Sequence, residues 1–306
     1  MTRYLFRRTL EAIPTLFGVT ILMFLFVRAL PGDPARLYAG LDASPAEVVE
    51  ARERFGLDSS LPEQFGRYVV GLVQGDLGRS FRSNRPVTDL LARHFPATLV
   101  LSAIAIVAAL ALGIAFGVAA AVRRGSLADL AITLGSILGV STPSFFLGIL
   151  LIYVFAVGMR ALPVAGSLTP EGLVLPAVTL AAGAVGTIAR FVRSSMLEVM
   201  GEDFIRTAHA KGLQRGRVLS KHALKNALIP VITIGALQFG FLLSGAVIVE
   251  TVFNFPGLGW LLIQSIEARD YPVIQALMLV FAVQFVVVNV FADLLYGVVD
   301  PRVAYA

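Results

Sequence analysis

Apolar residues in this chain run in long blocks separated by shorter polar stretches. A bilayer core of about 30 Å needs roughly 20 apolar residues in helical form. Six segments meet that criterion: 12–30, 97–122, 130–157, 173–189, 228–249 and 273–292. Residues 97–122, 130–159 and 228–249 hold no charged side chain. The segment 173–189 is rich in Ala and Gly and short of bulky side chains, which predicts a place inside the bundle, where small residues let helices approach. The pattern predicts an all-α, polytopic membrane protein with six transmembrane helices.

The polar stretch between the first two spans carries helix-start signals. Ser44-Pro45-Ala46-Glu47 pairs capping-box residues with Pro at the first helical position, and Gly56 supplies a stop. Ser60-Leu61-Pro62-Glu63 repeats the signal before a helix expected to end near Gly75. A third short helix is expected to start at Pro86 and lead towards the membrane, with no secondary structure assigned to 75–84. Together these predict a small helical extracytoplasmic extension.

Orientation follows from the Lys and Arg bias of the short loops. Arg3, Arg7 and Arg8 precede the first span, and Arg123 and Arg124 follow the second. After the fourth come Arg190, Arg193, Arg206, Lys211, Arg215, Arg217, Lys221 and Lys225, whereas loops 160–172 and 253–272 offer only Arg160 and Arg269. Both termini are therefore expected in the cytoplasm. The resulting division is a cytoplasmic N-terminus and first helix (1–30), an extracytoplasmic extension (31–94), a membrane core with five helices and the cytoplasmic loop 190–228 (95–297), and a cytoplasmic tail (298–306). The basic start and apolar run resemble a signal peptide, but the run is long enough to span and Arg28 to Pro34 is not a small-residue cleavage site, so an uncleaved helix is predicted.

Composition agrees with the pattern. Of 306 residues 57% are apolar and 15% charged, against roughly 25% charged in a soluble domain, and the mean hydropathy is +0.81. A pI near 9.8 and a net charge of +5 raise nucleic acid as a partner, but a basic binding face needs a soluble body, and none is visible. The chain has no cysteine, so disulfides, thiolate metal sites and cysteine nucleophiles are excluded.

The loop 190–228 holds every lysine in the chain. It reads as two helices with apolar residues between the charges: one around 204–211, with Glu202 and Asp203 at its positive end, and one from Arg215 to Ala227 before Pro230. Gly212 stands between them as a helix stop. A Walker A loop needs Gly-Lys so that lysine reaches the phosphates from a glycine cradle. Lys211, Lys221 and Lys225 follow Ala210, Ser220 and Leu224, so the motif is missing.

Ionisable groups near the spans are few. Arg28, Glu250 and Asp293 lie towards helix ends, where capping or snorkelling is the ordinary role, and Glu250 is also a candidate pathway or gate residue. Pro143 interrupts the third span and predicts a fixed kink, with Ser141, Thr142 and Ser144 at hand to satisfy the freed backbone. Gly113 and Gly117 match the small-xxx-small packing pattern, alone a weak sign. His94, His209 and His222 are too scattered for a metal motif, and no catalytic constellation is visible.

The run Arg206-Thr207-Ala208-His209-Ala210-Lys211-Gly212 followed by His222 to Pro230 resembles the cytoplasmic signature of peptide-importer permeases of the ATP-binding-cassette superfamily. Ala12 to Thr20, Leu30 to Ala35, Val249 to Gly259, Ser141 to Gly148 and the tail Asp300-Pro301-Arg302 are similar to the B-type subunit of the dipeptide, oligopeptide, glutathione and nickel group. Arg206 and Thr207, with His222 and Lys225, depart from the generic permease pattern in the manner of the peptide branch.

The resemblance implies a type I importer permease fold and no enzymatic activity or cofactor on this chain. It implies as partners a second homologous permease, two cytoplasmic ATPases carrying ATP and Mg, an extracytoplasmic substrate-binding protein and the lipid membrane, with no nucleic acid. Arg206, Thr207, Ala208, Lys211, Gly212 and Arg215 would then form the ATPase-coupling loop. Di- or oligopeptides are the expected cargo, with glutathione or nickel as alternatives on the same architecture. A stand-alone channel or membrane enzyme is the competing class.

Overall fold

A computed structural model of the chain describes residues 2–29, 33–40, 43–55 and 57–299. These residues are nearly all helical, and the one β pairing among them is an isolated bridge between Arg79 and Pro86. In chain order the helices are α1 (Thr2–Ala29), α2 (Pro34–Ala39), α3 (Pro45–Phe55), α4 (Leu61–Val73), α5 (Val87–Val122), α6 (Leu127–Ser141), α7 (Ser144–Leu151), α8 (Pro170–Met200), α9 (Asp203–Ala210), α10 (Arg215–Arg217), α11 (Leu224–Val252), α12 (Leu258–Glu267) and α13 (Tyr271–Val299). Two π-helical turns, Ile152–Gly158 and Val218–Ala223, continue α7 and join α10 to α11. Among the described residues five helices are long and apolar enough to cross a membrane, or six when the bent pair α6 and α7 counts as one span. Gly56, Leu30 to Gly32, the tail from Asp300, and the side chains of Arg3, Arg7, Arg8 and Asp293, all invoked above, lie outside the described residues.

The chain forms two compact units. One comprises Thr98–Phe255 and residues 287–299; the other comprises Thr2–Ala97 and Pro256–Val286.

In the first unit α8 is the interior helix: 61% of its apolar window is buried, against 17 to 33% for the other four spanning helices. Small residues make that possible. A Cβ at Gly113 would lie 2.7 Å from Ile188 Cγ2, and one at Gly117 would lie 2.6 Å from the Ala189 carbonyl oxygen. The Gly113 and Gly117 match is therefore a real seam between α5 and α8. On α8's other contacts, Gly186 abuts the Ser136 backbone of α6, and a Cβ at Gly139 would come within 3.0 Å of the Ala182 carbonyl oxygen. Backbones this close gain dispersion that lipid cannot supply.

Three boundaries differ from the sequence expectation. The third span is broken, not one helix over 130–157: α6 ends at Ser141, α7 begins at Ser144, and the two are bent by 106°. Pro143 has no N–H to continue the ladder, and the Thr142 N–H and Oγ1 both turn back to the Leu138 carbonyl at 2.9 and 2.7 Å. The fourth helix does not stop near Ala189 but continues to Met200. The second loop helix is not separate from the fifth span. Residues Arg215–Val252 run on through a π turn and past Pro230, because loss of one N–H inside a long packed helix need not end it.

The second unit contains α1 to α4, the start of α5, α12 and most of α13. Both predicted capping boxes form: the Ser44 N–H donates to Glu47 Oε2 at 2.7 Å and the Ser60 N–H to Glu63 Oε2 at 3.1 Å. The Ser44 backbone holds the Glu47 carboxyl below the usual range. The helix expected as a short piece from Pro86 is the start of α5, which continues past Pro96 for 36 residues in all. α12 falls in a stretch read from sequence as a loop; it packs Leu258, Leu261 and Leu262 against Val87, Leu91 and Leu277. The stretch 75–84 is organised as well. The buried Asp270 carboxylate accepts from Ser80 Oγ and from the Phe81 N–H at 2.9 Å, clamping that turn onto the start of α13.

Candidate functional site

The loop after α8 is a helix, a turn and a second helix. Glu202 stands at the N-cap position of α9, without a capping bond from its side chain, and Asp203 in the first turn, where a carboxylate complements the helix dipole. At its other end the Gly212 N–H bonds to the His209 carbonyl at 2.9 Å and the Leu213 N–H reaches back to the Ala208 carbonyl at 3.3 Å. This is a Schellman stop, and it requires a left-handed residue at Gly212, whose φ is +75°. No atom stands within 4 Å of where a Gly212 Cβ would be, so glycine is needed there for backbone conformation and not for space.

Four apolar residues of the loop face inward: Ile205, Ala208, Val218 and Ala223 are buried. That leaves Arg206, Thr207, Lys211, Gly212 and Arg215 exposed, together with Arg217, Lys221 and Lys225. Of the residues singled out from sequence, Ala208 alone is turned away from this face. Phe204, at the start of α9, is 44% exposed and puts an aromatic ring at the edge of the basic surface. The sequence reading passed over it, although a phenylalanine beside two acidic residues in a polar loop was the available signal.

Behind the loop, the α8 extension is tied to α6. Arg193 Nε and Nη2 donate to Asp129 Oδ1 and Oδ2 at 2.6 and 2.8 Å, a two-pronged pair in which Asp129 is buried. The Gly125 N–H adds a bond to Asp129 at 3.0 Å. Sequence reading counted Arg193 only as a topological charge and missed Asp129, because both sit outside the apolar window and their pairing spans 64 residues.

In the membrane part of the same unit, Glu250 is fully buried near the end of α11, and Thr98 Oγ1 donates to its Oε1 at 2.7 Å. Snorkelling therefore does not describe this residue. A buried carboxylate is tolerated only with hydrogen-bond donors. At the 106° break beside Pro143 lies a cavity of about 220 Å³ lined by Thr142, Ser144, Thr179 and Gln238, with Gly183 and Gly245 leaving the space open.

The described residues are nearly all helical, with five or six apolar spans, a small-residue interior helix and an exposed basic helix-turn-helix, and they define a multi-pass membrane protein. The description "Binding-protein-dependent transport system inner membrane component" matches residues 113–305, and the N-terminal membrane component of the same systems matches 1–102. The chain belongs to this family, and within it to the permeases of the peptide, glutathione and nickel type; it is an inner-membrane permease of an ATP-binding-cassette importer. It is 48% identical over 307 residues to the glutathione transport system permease protein GsiC of Escherichia coli O6:H1, covering both chains completely. Its identity to the same-named protein of Salmonella paratyphi A is 46% over 306 residues, again complete on both sides. Among solved structures it resembles the inward-facing MetNI methionine transporter, with TM-score 0.60 and 21% identity over 70% of this chain and 97% of that one. An amino acid ABC transporter with histidines follows at TM-score 0.53 and 18% identity, over 68% of this chain and 94% of that one. These likenesses speak for the fold.

Proposed function

We propose that this chain forms half of the pathway of an ATP-driven importer of short peptides, with the tripeptide glutathione the leading cargo. The observation that carries the reading is end-to-end identity of 48% to permeases named for glutathione transport. ATP and Mg belong to two partner ATPases in this account, since no lysine here follows a glycine and a phosphate cradle is lacking. A second permease completes the pathway, and an external binding protein delivers the cargo. Both termini and the loop 190–228 lie in the cytoplasm, which the basic bias of the short loops supports.

The coupling surface is the exposed set Arg206, Thr207, Lys211, Gly212 and Arg215, with Ala208 packing inward to hold α9 in place. ATPase closure would push α9, and the Arg193 to Asp129 pair would pass the push from α8 to α6 and so towards the break at Pro143. Glu250 holds a buried wall of the pathway through Thr98. The test is uptake by proteoliposomes containing the complete complex and binding protein, offered labelled glutathione, dialanine and nickel in turn. ATP-dependent accumulation of glutathione, outcompeting dialanine, is expected. Nickel uptake alone, or peptide uptake that ignores ATP, would refute the reading.

A further inference from the structure

Within the unit formed by Thr2–Ala97 and Pro256–Val286 there is a cavity of about 580 Å³, in the range of ligand pockets, that none of the coupling or pathway residues touches. Its polar lining is one-sided. Three guanidinium groups, Arg28, Arg52 and Arg79, face it with a single carboxylate, Asp33. That carboxylate is already occupied, accepting from Arg52 at 2.6 Å and from the Ala35 N–H at 3.1 Å. Gln64 is spent as well: its Oε1 takes Arg28 at 2.8 and 3.0 Å, and its Nε2 goes to the Leu57 and Ser59 carbonyls at 2.9 Å.

Two further lining residues have capacity left. Tyr271 is 3% exposed and Gln275 9%, one helical turn apart at the start of α13. The Tyr271 hydroxyl and the Gln275 Nε2 are buried with no hydrogen-bond partner among the described residues. An amide N–H can only donate, a phenol readily donates, and arginine has no acceptor at all. The two unpartnered groups can both donate, and three arginines against one lining carboxylate leave the cavity positive, which together complement an oxyanion. Apolar walls from Val27, Leu61, Phe81 and Pro272 would be wasted on a small inorganic ion and suit a carbon body. The guanidinium forks are themselves engaged, Arg28 on Gln64 and the Phe24 carbonyl, Arg52 on Asp33 and Arg79 on Asn84, so the arginines contribute charge and the direct bonds fall to Tyr271 and Gln275.

We propose that this cavity is a binding site for a small carboxylate-bearing solute about the size of a short peptide, with Tyr271 and Gln275 donating to the carboxylate and the arginines supplying the attracting charge. The ligand class follows from the cavity's own chemistry and does not depend on which solute the complex imports. The site is separate from the break at Pro143, whose lining belongs to the other unit.

Calorimetric titration of the purified full chain in nanodiscs, with no ATPase or binding protein present, tests this with three probes: trialanine, trialanine amide and inorganic phosphate. Saturable trialanine binding is expected, weakened at least tenfold in the amide, with none for phosphate. Tyr271→Phe and Gln275→Leu should each weaken trialanine roughly tenfold, the value of a bond to a charged acceptor. Their melting temperatures should not fall, since neither group has an internal partner to lose. Absence of trialanine binding, equal binding of the amide, phosphate binding as tight as trialanine, or wild-type affinity in both folded variants would each overturn the proposal.

Discussion

Gly212 concentrates a conformational demand on one residue. Its φ of +75° belongs to the left-handed region, and the space around its absent Cβ is open, so substitutions there report backbone strain without steric clash. Asparagine tolerates this region, alanine costs about 1 kcal/mol, and a β-branched residue costs more. Uptake by the assembled complex, with membrane expression checked, should fall in the order Gly212→Asn, Gly212→Ala, Gly212→Val. Normal uptake by Gly212→Val would show that the turn is replaceable. Glu250 makes the opposite kind of demand, for a partner. Glu250→Gln keeps an acceptor for the Thr98 hydroxyl, whereas Glu250→Ala removes that acceptor and opens a void in a fully buried place. A loss of about 2 to 4 kcal/mol is expected for alanine and distinctly less for glutamine. Thermal unfolding of the purified variants reads the difference, and equal melting of the two would remove the hydrogen bond's role.

At the scale of elements, the glycine seam between α5 and α8 can be tested against an internal control. Gly117→Leu pushes a side chain into Val192 and the Ala189 carbonyl, and should cost stability in excess of about 1 to 3 kcal/mol, the price of overpacking. Gly135→Ala, where nothing lies within 4 Å, should melt like the parent. Similar melting for Gly117→Leu would mean that the seam is slack. The two glycines were legible in the sequence only as a spacing; what it could not supply was the partner, because α8 lies some 70 residues further along. Local grammar was read well: the Ser44 and Ser60 boxes gave α3 and α4 their starts. The same grammar at Asp33-Pro34, with Asp33 accepting from the Ala35 N–H, starts α2 and was passed over. Pro143 and Pro230 show why proline alone misleads. At Pro143 α6 has ended and α7 starts anew at Ser144, whereas Pro230 lies inside a helix with Ala227 and Val231 buried on either side of it.

For the whole molecule, run length and charge carried the membrane class and the number of spans, because both are properties of composition over windows. Burial of polar residues was not legible. Asp129, Asp270 and Glu250 are each held by groups 64 to 190 residues away, a separation at which periodicity says nothing. In the function proposed for this chain, the basic loop after α8 takes its push from a separate ATPase. The chain has no cysteine, so single cysteines can report contact without background. The measurement is cross-linking to the ATPase in the transporting complex, from Arg206→Cys and Lys211→Cys, with Glu53→Cys on α3 as the control. ATP-sensitive cross-links are expected from the first two and none from the third. A cross-link from position 53, or its absence from 206 and 211 in a complex that still transports, would contradict that function.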